Sequence, residues 1–185
     1  MIDKLIHWFY CLDLWKAALV VVVWTVVFCL LDGRLRHLRW WRWLVSGMLV
    51  AFVAVAIYTT IGNRDGSDNL AHAFTPFHSY REAQVTGNIE IYRSNFMNVV
   101  LFYPVGLLAT SLLPRKWPGW CRCVLVVLAL AAASAGIEFL QYCYVLGRCE
   151  IDDMIHNTTG VLLGSLAALV LPGLLASLEE KVMPK

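Results

Sequence analysis

Long apolar runs alternate with short polar connections along this chain. Trp43 to Gly62, Phe96 to Leu113 and Met154 to Leu178 hold no charged residue. Cys123 to Gly147 holds only Glu138. Leu14 to Leu31 holds only Lys16, near enough to one end for its stem to reach the headgroup layer. One helical crossing of a bilayer takes roughly 20 apolar residues, with about 17 as a working minimum. Five runs of that length predict five transmembrane helices, the first and third being the shortest. A soluble helical core is the poorer reading, because helices of globular proteins average only about 11–12 residues. The expected fold class is all-α: an integral membrane bundle of about five transmembrane helices, in one membrane domain over 1–185.

Composition agrees with this reading. Hydrophobic residues make up 59% of the chain and charged residues 15%, against about half and a quarter in soluble domains. The net charge of +2 is small. No basic patch interleaved with aromatics lies outside the predicted inner loops, so nucleic acid is not an expected partner. Leu30-Leu31-Asp32-Gly33-Arg34 is a poor cleavage site, so the first run is read as retained rather than as a signal peptide. Ile2, Leu5, Ile6 and Phe9 fall at helical spacing, which suits a short interfacial helix over Met1 to Tyr10. Cys121 and Cys123 are too close for a structural zinc site. Cys11 and Cys29 read as apolar filler. Cys143 and Cys149 flank one loop, and either pair there or remain free thiols.

Charge in the connections sets the expected orientation. The 32–42 loop, the 114–122 loop and the C-terminal tail hold nine Lys and Arg, against six at the other ends of the helices. The richer side is expected to be cytoplasmic. That places the 63–94 and 147–153 loops outside. Trp40, Trp41 and Trp43, with Trp117 and Trp120, fit an aromatic belt at the inner interface. The 63–94 loop is too short for a domain of its own. Its apolar centre, Ala73 to His78, is expected to fold back onto the membrane interface.

Two segments put charge and amide groups where membrane helices rarely tolerate them. One is Ser134-Ala-Gly-Ile-Glu138-Phe-Leu-Gln141, the other Arg148 through Asp152 and Asp153 to Asn157 and Gly160. A carboxylate at a helix centre costs roughly 3 kcal/mol even on insertion scales. Ser134, Glu138 and Gln141 share one helix face, as do Asp153, Asn157, Gly160 and Gly164. Asn95 and Asn98 stand one turn apart on the third helix. The spacing of Gly160 and Gly164 allows close helix approach. Polar faces from three helices at one depth predict a hydrated cleft opening outward. The plainer reading is structural: Arg148 pairs with Asp152 or Asp153, and the amides and carboxylates cap helix ends.

At this point the chain resembles the VanZ-like membrane protein family. The likeness lies in Pro76-Phe77, in Asn95-x-x-Asn98-x-x-x-Phe102-x-Pro104-x-Gly106, in Ile137-Glu138-x-x-Gln141, and in Arg148-x-x-x-Asp152-Asp153-x-x-x-Asn157-Thr-x-Gly160-x-x-x-Gly164. It covers roughly 70–170, the VanZ-like core, and the first two helices add little to it. The resemblance implies a small helical protein of the bacterial cell envelope, and the family's namesake is associated with low-level teicoplanin resistance. It supplies no reaction. Three functions follow as expectations. In the first, the cleft binds or modifies an anionic or glycosylated lipid or lipid-linked envelope precursor. Arg148, with Arg93, would hold a phosphate or carboxylate; Asn95, Asn98, Gln141, Asp152 and Asn157 would complete the binding set. In the second, Glu138 and Asp153 act as an acid/base pair. No cofactor is expected, although a metal variant would recruit His156 or His78 beside the carboxylates. In the third, the chain is a structural or assembly partner with no small-molecule site.

Overall fold

The computed structural model describes residues 14–62, 72–73, 75–144 and 149–182. In chain order these form α1 (Leu14–Leu35), α2 (Arg39–Ile57) with a π turn at its end (Tyr58–Gly62), β1 (His72–Ala73), α3 (His78–Thr86), α4 (Ile89–Leu112), α5 (Gly119–Tyr144), β2 (Cys149–Glu150) and α6 (Ile151–Val182). Five helices, α1, α2, α4, α5 and α6, are long and apolar enough to cross a membrane. The expected all-helical, multi-pass architecture is therefore what the chain forms. The Met1–Tyr10 helix lies outside the described residues.

α4 is the central helix: 61% of its apolar window is buried, against 11–22% for the other four. It packs mainly on α6 and then on α2, while α6 also takes α5. Small residues permit this closeness. A Cβ at Gly106 would fall on the Val161 carbonyl, one at Gly160 on the Val99 carbonyl, and one at Gly164 on the Tyr103 carbonyl. The Gly160-x-x-x-Gly164 spacing thus acts as expected. Behind it, the fully buried Thr110 hydroxyl donates to Ser165 Oγ at 2.9 Å, linking α4 and α6. Two apolar clusters flank the seam. Phe28, Trp41, Val45, Leu107, Leu108 and Ala168 pack in one, and Ala56, Leu101, Phe102, Val126 and Val161 in the other. Many large apolar side chains point outward instead, including Leu19, Val23, Leu128, Leu163 and Val170. In a bilayer these face lipid tails, which is where a soluble protein would fail.

Three features differ from the sequence expectations. α4 starts at Ile89 rather than near Phe96, because the Asn88 side chain accepts the Glu90 N–H at 3.0 Å and caps it. The long connection contains its own helix, α3, and is pinned to the start of α6 by a two-residue parallel ladder, His72 opposite Cys149 and Ala73 opposite Glu150. Trp41 is not part of a belt. It is 5% exposed, with its indole N–H donating to Asp32 Oδ1 at 2.9 Å, whereas Trp40, Trp43, Trp117 and Trp120 are exposed. A buried carboxylate at the end of α1 needs a donor, and Trp41 supplies it.

Candidate functional site

The N-terminal end of α6 gathers polar groups from every element that reaches it. Asp152, 1% exposed, accepts the backbone N–H of Phe77, the Ser79 N–H at 2.8 Å and the Ser79 hydroxyl at 2.6 Å. Asn95 Nδ2 donates to the same Ser79 oxygen at 2.9 Å. A carboxylate in the first helical turn also suits the macrodipole. Asp152 therefore straps the start of α3 onto the starts of α4 and α6. Phe77 holds a left-handed conformation, φ 62°, unusual for a bulky residue. The hydrogen bond from its N–H to Asp152 helps hold it there. Next to the strap, Tyr80 Oη meets His156 Nε2 at 2.8 Å, and the Tyr80 ring packs on Phe77, Tyr92 and His156.

Deeper in the bundle, amides join the helices. Gln141, fully buried, donates through Nε2 to the Thr60 carbonyl at 2.6 Å, within the π turn that ends α2. Asn157 Nδ2 donates to Ser134 Oγ at 3.0 Å, tying α6 to α5. Glu138, 4% exposed, accepts the Glu150 N–H at 3.0 Å and so anchors β2. As the helical spacing required, Ser134, Glu138 and Gln141 are buried on one face of α5.

A cavity of about 320 Å³ opens beside the strap. Its polar lining is Ser79, Glu82, Asn88, Ser94, Asn95, Glu150 and Asp153. Asp153 sits on its wall and accepts Asn98 Nδ2 at 2.8 Å. The sequence candidates thus divide by place. Asp153 and Asn95 line the cavity. Asn98 and Asp152 stand directly behind it, each bonded to a lining residue. Glu138 is linked to it through the Glu150 backbone, while Gln141 and Asn157 sit in the helix interfaces. Arg148 lies outside the described residues. Ser79, Glu82, Asn88, Ser94 and Glu150 carried no periodic signal and were not foreseen; only Asn88-x-Glu90 offered one, as a helix cap. Among the described residues no three His, Cys, Asp or Glu side chains are placed to hold a metal ion. His78 instead approaches Glu82 at 3.7 Å. Cys143 is a free, exposed thiol, and the Cys149 side chain lies outside the described residues.

Fold and site together define a small multi-pass helical membrane protein with a polar cavity built at one end of its bundle. A family model described as VanZ/LLP1 matches residues 15–172, and the chain belongs to that family. The match begins within α1, so it includes the first two spans, which the motifs alone left out. No curated protein and no solved structure matches the chain.

Proposed function

We propose that this protein binds the glycosylated head of a lipid-linked bacterial envelope precursor in the cavity walled by Glu150 and Asp153. The observation that carries the reading is the lining itself. Three carboxylates, two amides and two serine hydroxyls converge on about 320 Å³. That volume falls in the range of small-molecule sites, roughly 300–1,000 Å³. Carboxylates accept from sugar hydroxyls, and amides both donate and accept. Arg148, two residues before Glu150 in sequence, is the candidate for a linking phosphate, which its planar fork can grip with two donors. The Lys/Arg asymmetry supports an outward cavity.

Binding is better supported than acid/base chemistry. Asp153 lines the cavity, whereas Glu138 is turned to the Glu150 N–H. The cellular consequence of this reading is altered sensitivity to glycopeptide antibiotics such as teicoplanin. Native mass spectrometry of the protein extracted from bacterial membranes tests the binding. Wild type should carry a glycosylated lipid, and Asp153→Asn with Glu150→Gln should weaken its binding at least about tenfold, the effect of losing even one charge-assisted hydrogen bond. An unchanged lipid complement in a folded double variant would contradict the proposal.

A further inference from the structure

The other end of the bundle buries a carboxylate among guanidinium groups. Asp32, 4% exposed, already holds the Trp41 indole N–H. Arg36 approaches it at 3.4 Å and Arg115 at 3.6 Å, both long for ion pairs. Arg36 also donates to the Leu113 carbonyl at 3.3 Å. Arg122, in the first turn of α5, is 5% exposed, and its Nε has no hydrogen-bond partner among the described residues.

Two cavities meet at these side chains. One, of about 320 Å³, is lined by Asp32, Arg36, Arg42, Ser111 and Arg115 among others. The second, of about 380 Å³, is lined by Arg115, Arg122, Trp117 and the Gly119 end of α5. Arg115 belongs to both. Two guanidinium groups, Arg36 and Arg115, lie within 3.6 Å of one carboxylate, and two more, Arg42 and Arg122, line the adjoining cavities. Burial lowers the Arg36 pKa below its ordinary value. Asp32 opposes that shift, while Arg115, Arg122 and Arg42 add to it. The arginines are close enough to repel one another.

A solvated basic loop looks different. Arg34, two residues from Asp32, is exposed and paired with Glu179 at 2.8 Å. Buried Arg122 and half-buried Arg36 stand near the single buried carboxylate Asp32, an excess of one positive charge, while Arg42 and Arg115 line the same cavities from exposed positions. That excess is costly, and the cost falls when an anion with several acceptor oxygens joins the arginines. The depth fits such an anion, because exposed Trp40, Trp43 and Trp120 mark the headgroup layer at this end.

We propose that these two cavities form a phosphate site, held by Arg36, Arg42, Arg115 and Arg122, for the headgroup phosphate of an anionic membrane lipid or the same group carried on a soluble anion. The site is separate from the polar cavity at the far end and does not depend on the function proposed for it.

The test uses the full chain purified in detergent. Native mass spectrometry measures retention of added phosphatidylglycerol against phosphatidylcholine, and thermal unfolding measures stabilisation by inorganic phosphate. Wild type should retain phosphatidylglycerol preferentially. Arg122→Gln and Arg42→Gln should each weaken retention about tenfold or more, and Arg34→Gln should leave it unchanged. Arg42 is exposed, so its variant stays informative if Arg122→Gln fails to fold. Stabilisation of wild type by inorganic phosphate, lost in Arg42→Gln and without a lipid preference, would assign the site to a soluble anion. No response to either probe, or a response that survives the substitutions at Arg42 and Arg122, would overturn the proposal.

Discussion

Replacing Asp152 by Asn separates the strap from the cavity. The carboxylate accepts three donors: Phe77 N–H on Oδ1, and Ser79 N–H at 2.8 Å and Ser79 O–H at 2.6 Å on Oδ2. An amide has one acceptor oxygen. In the best arrangement it keeps both Ser79 donors and turns its NH₂ toward the Phe77 N–H. One charge-assisted bond, worth about 1.5–3 kcal/mol, becomes a donor facing a donor. Loss of the negative charge in the first turn of α6 removes about 0.3–1 kcal/mol more. The expected destabilisation is about 2–4 kcal/mol. For a chain of this size that lowers the melting temperature by about 4–16 °C, at roughly 2–4 °C per kcal/mol. The assay is thermal unfolding in detergent, together with hydrogen exchange over α3. Exchange at the Phe77 and Ser79 amides should rise at least tenfold in Asp152→Asn. Ser79→Ala, combined with it in a double-mutant cycle, should show coupling of about 1–3 kcal/mol. A melting shift under 2 °C (about 1 kcal/mol) with unchanged amide exchange would refute the strap.

Three further outcomes follow from the packing, the charge pattern and the site. Gly164→Ala puts a Cβ on the Tyr103 carbonyl and within 2.8 Å of Leu107 N, so α4 and α6 must separate; membrane abundance and thermal stability should fall, by about 2–3 kcal/mol. With the native cysteines replaced by Ser, an Ile151→Cys variant in whole cells should react with an impermeant thiol reagent, since the Lys/Arg asymmetry predicts that end to lie outside; labelling only after the inner face is opened would reverse the orientation. If Arg148 grips phosphate as proposed, Arg148→Lys should lower whatever glycopeptide-sensitivity phenotype the protein confers at normal membrane abundance, because an ammonium cannot copy a two-donor grip; full activity in the Lys variant would favour a simple charge balance with Asp152 or Asp153.

The spans were legible because lipid selects long uncharged runs regardless of what they pack against. The α4–α6 seam was legible because closeness needs small residues at helical spacing, and Gly160 and Gly164 show that directly. Helical spacing also placed Glu138 and Gln141 on a buried face. It could not say what they would meet. Asn95 bonds to Ser79, Gln141 to the Thr60 carbonyl and Asn157 to Ser134, and each of these amides has a protein partner from another element. Asp152 and Ser79 are 73 residues apart, and periodicity carries no information across that distance. α3 has nine residues and a mixed composition, too short for a periodic signal to stand out from a loop. Trp41 looked like its neighbours Trp40 and Trp43 because local pattern cannot reveal that Asp32 turns back to it.

The proposed occupant of the Asp153 cavity is a glycosylated lipid head. Site-specific photo-crosslinking in living bacteria reads this directly. A photoreactive residue at Ser94, on the cavity wall, is compared with one at Val170, 60% exposed on the lipid-facing side of α6. A glycan-bearing lipid adduct is expected from position 94 and ordinary phospholipid adducts from position 170. Phospholipid adducts alone at both positions, or a glycan-bearing adduct equally abundant at both, would contradict it.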